Sequence, residues 1–139
     1  MSNSEIYRGK RIDNGEWAYG YHFCFDGKIH FIMTGKFDLS KTPPEFESYG
    51  VIPESVGRII ELTDERKKTH PKRFFTGDIM RYIYNGKAYI GTVKIINGNA
   101  CIVSKNASTF LDDAVFKHGA LLIGNIIDNP ELLEEGEVK

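Results

Sequence analysis

Two Asn-Gly pairs, Asn85-Gly86 and Asn97-Gly98, sit between runs rich in Ile, Tyr and Val in the stretch 77–104, GDIMRYIYNGKAYIGTVKIINGNACIVS. A two-residue type I′ hairpin needs positive φ at both central residues, which Asn and Gly tolerate far better than other residues. The stretch therefore predicts three consecutive antiparallel strands, a β-meander on which the rest of the chain is organised. In its middle strand Tyr89, Val93 and Ile95 share a face with Gly91, while Ala88, Ile90 and Ile96 take the other. Both faces read as apolar, which places the strand in a sheet covered on both sides. Gly91 in mid-strand predicts a bulge or sharp bend that curls the sheet toward a barrel.

The flanking segments repeat this turn chemistry. Residues 7–12 read as a short strand ended by Asp13-Asn14-Gly15, and 16–25, EWAYGYHFCF, as an aromatic-rich strand that Asp26-Gly27 turns into 28–34, KIHFIMT. Residues 35–50 carry Thr42-Pro43-Pro44 and little periodicity, so they read as a loop pinned by Phe37 and Phe46. A strand is expected at 56–61, then a polar linker at 63–72. A helix is expected over 108–118, with Ser108 as N-cap, Phe110, Leu111, Ala114 and Val115 as its buried stripe, and Gly119 ending it in the left-handed conformation. An apolar strand over 120–127 follows, and then a short helical turn with Asn129 as N-cap and Pro130 at its first position. The expected architecture is one mainly β domain, 1–139: a hairpin region at 7–34, a loop at 35–50, the meander at 77–104, and a helix with the C-terminal strand at 108–134. Its antiparallel sheet is small, curled and barrel-like, and the hairpin systems close on a shared core.

Composition narrows the function classes. With 41% hydrophobic and 27% charged residues in 139, the chain has material for one globular core. A net charge of −1 is not that of a protein coated in phosphate contacts. The first residues, MSNSEIYRGKR, lack the apolar segment of a signal peptide, and no run is long enough to span a bilayer, so the expected place is the cytoplasm, away from membranes. Cys24 and Cys101 both lie in apolar, strand-like settings and read as buried free thiols.

Each candidate site also has a plainer reading. His22, Cys24 and His30 have the chemistry of zinc ligands. With Asp26-Gly27 as a two-residue turn, however, Cys24 pairs with Ile29 and Phe23 with His30. His30 then falls on the face opposite His22 and Cys24, and no metal site is expected. Cys101 has no base beside it in sequence. Asp64/Glu65 and Asp112/Asp113 read as solvated or helix-dipole pairs, and no phosphate-binding glycine motif is present. The strongest non-structural feature is basic: Arg66, Lys67, Lys68, Lys72 and Arg73, with His70 among them, precede Phe74 and Phe75, and Tyr82 and Tyr84 follow. Cations beside exposed aromatics suit single-stranded nucleic acid, whereas the same aromatics turned inward are simply core.

Four segments, YRGKRIDNGEWAYGY at 7–21, VIPESVGR at 51–58, FTGDIMRY at 75–82 and IGNIIDNPELLE at 123–134, together resemble the YopX family of phage and prophage proteins. The resemblance implies a mostly β fold, a phage or prophage origin and a tendency to oligomerise, and it brings no catalytic residues. The expectation is thus a non-enzymatic, homo-oligomeric accessory module with no cofactor and no small-molecule substrate. The alternative is a β-barrel protein binding single-stranded nucleic acid through Arg66, Lys67, Lys68, Lys72, Arg73, Tyr82 and Tyr84. For the oligomer contact, Leu132 and Leu133 lie on a turn too short to be stable alone and must pack on something. An acidic C-terminus opposite the basic linker would help set register between subunits.

Overall fold

The computed structural model describes residues 7–63, 71–105 and 107–136. The fold is mainly β, with two antiparallel sheets and a few short helices, and the chain divides into two compact units, residues 1–59 and 60–139. Each unit has its own buried cluster in place of the shared core expected from sequence.

The first unit holds β1 (Tyr7–Lys10), β2 (Trp17–Phe25), β3 (Ile29–Asp38), β4 (Glu45–Val51), a 3-10 turn at Pro53–Ser55 and the start of β5 (Gly57–Leu62). Its strands are ordered β4-β3-β2-β1-β5. Its cluster is Ala18, Ile32 and Val51, flanked by Tyr7, Tyr49 and Val56. The segment 35–50 is largely strand and not the expected loop: Phe37 pairs with Phe46 and Asp38 with Glu45. A register shift between Met33 and Phe37 breaks the period-2 pattern, which hides the pairing from a periodicity reading.

Arg11 supports this sheet from its rim. Its guanidinium forms a two-point pair with Asp13, at 2.9 and 2.7 Å, and lies 3.7 Å over the Tyr49 ring. Glu47 accepts from the Thr34 and Tyr49 hydroxyls, and these two bonds, Thr34 first, hold its carboxyl below the usual range.

The second unit carries the meander. β7 (Asp78–Tyr84), β8 (Lys87–Ile96) and β9 (Asn99–Val103) follow one another, and β10 (Ser108–Phe110) and β11 (Leu121–Asn125) complete the order β10-β9-β8-β7-β11. Tyr84 pairs with Lys87 and Ile96 with Asn99, so both Asn-Gly turns have the predicted two-residue length. Asn85, Gly86, Asn97 and Gly98 all have positive φ. β6 (Lys72–Phe75) enters the unit through Thr76-Gly77, and the buried Asp78 carboxylate accepts from the Phe75 N–H at 2.7 Å. Phe74, Met80, Tyr82, Val93, Ile102, Leu111 and Ala114 form the buried cluster.

Several local expectations need correction. Among the described residues the sheets are open, with β10 and β11 as the edges of the second, and no barrel closes, which is still compatible with the expected curled sheet. β8 is buried only at Gly91, Thr92 and Val93, and Ile95 and Ile96 are exposed. Gly91 marks no register break: a Cβ there would stand 2.6 Å from the Val103 carbonyl oxygen, so glycine serves close backbone approach. The helix α1 is shorter than expected, Leu111–His118, because Ser108 is spent on β10 and Phe110 takes the N-cap position. Gly119 does end it at φ 64°. The turn helix α2 spans Glu131–Gly136, but the Asn129 side chain reaches back to the Asn125 N–H at 3.2 Å.

Candidate functional site

The β2–β3 hairpin sets two chemically different faces back to back. Its register pairs Phe25 with Ile29, Phe23 with Phe31 and Tyr21 with Met33. Alternation then puts Tyr19, Tyr21, Phe23 and Phe25 of β2 on one face with Ile29, Phe31 and Met33 of β3. Ala18, His22, Cys24, His30 and Ile32 take the other face. The aromatic face is largely solvent-exposed: Phe25 is 68% accessible, Ile29 50% and Phe23 41%, and the Phe23 and Phe31 rings stack 5.1 Å apart. Their density marks β2 as a strand, and the sequence alone does not say which side they take. They are outside because Ala18 and Ile32, on the opposite face, fill the small core with Val51.

This register overturns the expected one. Asp26 and Gly27 do have positive φ, but the Lys28 N–H bonds to the Phe25 carbonyl at 3.1 Å and the next ladder pair is Phe25 with Ile29. Lys28 therefore belongs to a three-residue loop, and a shift of one residue moves every β3 side chain to the other face. The shift brings Ile32 into the core, fully buried. It also sets His30 directly across from Cys24.

His22, His30 and Cys24 consequently form a line. His22 Nε2 lies 2.8 Å from His30 Nδ1, and His30 Nε2 lies 3.6 Å from Cys24 Sγ. The two rings are near-parallel, 12° apart, and Tyr7 packs tilted on His22. Burial first, and the neighbouring His30 second, push the His22 imidazole below its ordinary range. Because His30 offers a different nitrogen to each neighbour, the donors do not point at one centre. Among the described residues no group of His, Cys, Asp or Glu is arranged to hold a metal ion. Cys24 is exposed, against the expectation of a buried thiol, whereas Cys101 is buried as expected; both are free.

The basic and aromatic set does not form one surface among the described residues. Arg66, Lys67, Lys68 and His70 lie outside them. Arg73 Nε donates to Glu61 at 2.8 Å, and Lys72 is exposed. Phe74 is core, and so is Tyr82, 4% accessible and stacked on Tyr89 at 5.2 Å, which removes it as a platform for bases. Burial is also the main reason its hydroxyl stays protonated beyond the ordinary range. Tyr84 is 47% exposed and meets His118 edge-on. Leu132 and Leu133 are half-buried on α2, which lies against β8.

Open depressions also occur among the described residues. One of about 400 Å³ is lined by Leu62, Ala100, Phe110, Asp112 and Asp113, and one of about 300 Å³ by Lys36, Asp38, Glu45, Phe46 and Glu47. In the first, Asp113 is paired with Lys117 and Asp112 accepts from the Asp113 N–H, so the two acids serve the start of α1. No helix among the described residues is long and apolar enough to cross a membrane.

Fold and surface together define a small, mainly β protein with an exposed apolar hairpin face. The family model described as YopX protein matches residues 6–134, and the chain belongs to that family. No curated protein and no solved structure matches it.

Proposed function

We propose that this protein is a non-enzymatic phage or prophage accessory protein that acts in the host cytoplasm as a homo-oligomeric interaction module. The observation that carries this reading is the exposed row Tyr19, Tyr21, Phe23, Phe25 and Ile29 on one sheet face. A contiguous apolar patch on a small protein marks a surface that is covered in use, and interface cores are rich in Tyr and Phe. The favoured occupant is a second copy of the same chain. A two-fold axis lets one such row pack on itself, so that each aromatic finds an aromatic. A net charge of −1 leaves two copies without long-range repulsion.

Single-stranded nucleic acid is the competing occupant of exposed aromatics. Light scattering at micromolar concentration tests the reading, with Phe23→Ser/Phe25→Ser as the variant. An oligomer that the variant dissolves is the expected result. A monomer that retains single-stranded DNA on a filter at low salt, and releases it as salt rises, supports the competitor instead.

A further inference from the structure

We propose that Cys24 is a reactive thiol, a site of mixed-disulfide formation with small disulfides, in which His30 takes the thiol proton and His22 positions His30. The site lies on the hairpin face opposite the aromatic row, so it is independent of self-association. Four observations support it. Cys24 is exposed and free. Its ladder partner is His30, with Nε2 3.6 Å from Sγ, within reach of an S–H donor. The other nitrogen of His30 is held 2.8 Å from His22 Nε2, which fixes the ring in the plane that serves the sulfur. His22 itself packs on Tyr7, and burial holds its imidazole below the ordinary range, which favours its Nε2 as the acceptor for His30.

The proton arrangement follows. With Nδ1–H of His30 donated to His22 Nε2, the free lone pair of His30 is on Nε2, facing Cys24. A thiol activated by an adjacent base with a third group behind it is the general form of a nucleophile in proteins. The Sγ–H proton passes to His30 Nε2, and the thiolate attacks a small disulfide RS–SR. One Sγ–S bond forms as the S–S bond breaks. The departing RS⁻ takes the proton back from His30 and leaves as RSH, so Cys24 is oxidised to the mixed disulfide and half of the reagent is reduced. Cys101 provides an internal contrast: it is buried, and its Sγ donates to the Asn99 carbonyl at 3.6 Å.

The test uses the intact chain and the uncharged reagent hydroxyethyl disulfide at neutral pH, with adducts on Cys24 and Cys101 followed by peptide mass spectrometry. Native Cys24 is expected to react at least about threefold faster than the same thiol in the urea-unfolded chain, a modest factor because a better thiolate is a weaker nucleophile. Native Cys101 is expected to stay unmodified. His30→Phe keeps a ring and removes both nitrogens, and should bring Cys24 down to the unfolded rate. His22→Phe should slow the reaction, and His22→Gln, which retains an acceptor, should restore part of it. A native Cys24 no faster than the unfolded thiol, or unaffected by His30→Phe, overturns the proposal. An unchanged rate in His22→Phe overturns the role given to His22.

Discussion

His30 stands directly across the β2–β3 ladder from Cys24, and the residue that puts it there is Lys28, which extends the turn from two residues to three. The same shift delivers Ile32 to the core of the first unit, so one loop residue decides the composition of both hairpin faces.

That dependence makes Ile32 the most sensitive position of the hairpin. Ile32→Ala should cost about 2–4 kcal/mol, since the side chain is fully buried and its neighbours Ala18 and Val51 are too small to fill the space. Ile29→Ala, on the exposed face, should change urea stability by less than about 1 kcal/mol. A larger loss at Ile29 than at Ile32 would mean that the register is the two-residue one.

In the second unit, glycine serves different ends at different positions. Gly91→Ala should destabilise by about 1–3 kcal/mol, because the added methyl meets the Val103 carbonyl and neither backbone can retreat without breaking the ladder. Gly86→Ala meets nothing within 4 Å, and its cost, about 1 kcal/mol, is that of positive φ alone. Thermal denaturation of the two variants separates steric from conformational cost.

The His22 imidazole titrates below its ordinary value of 6.5 in the folded chain. As pH falls through that value the unfolded state takes the proton first, so the fold loses stability until the folded group is protonated too. Unfolding midpoints should therefore drop between about pH 7 and the acid side of the histidine range. His22→Phe should flatten this part of the curve. The neighbouring His30 is the second cause of the His22 shift, so His30→Phe should also alter the slope.

The architecture was legible where local chemistry is self-sufficient. Asn85-Gly86 and Asn97-Gly98 specify their hairpins through φ alone, and Gly119 announces the end of α1. What escaped was non-local. Asp26-Gly27 has the same turn signature, yet the loop takes in Lys28, because register is settled by which face packs on Ala18 and Val51 and not by the turn. The pairing of Phe37 with Phe46 was hidden by the register shift before it. The aromatic residues of β2 mark it as a strand, but a sequence shows how much apolar surface exists and not which half of it is left outside. The line from His22 to Cys24 was set aside on the register argument alone, and a loop one residue longer is enough to reinstate it.

Removing α2 should not abolish the proposed self-association. Because α2 lies against β8, a chain ending after Ile127 should lose thermal stability in the second unit while keeping its association state. A truncated chain that is stable and monomeric would move the interface to Leu132 and Leu133.

The most direct test of the central claim is the molar mass of the intact chain in solution. Light scattering at micromolar concentration should give a multiple of 15.8 kDa, falling to that value in Phe23→Ser/Phe25→Ser with circular dichroism unchanged. An intact protein that scatters as a monomer contradicts the account.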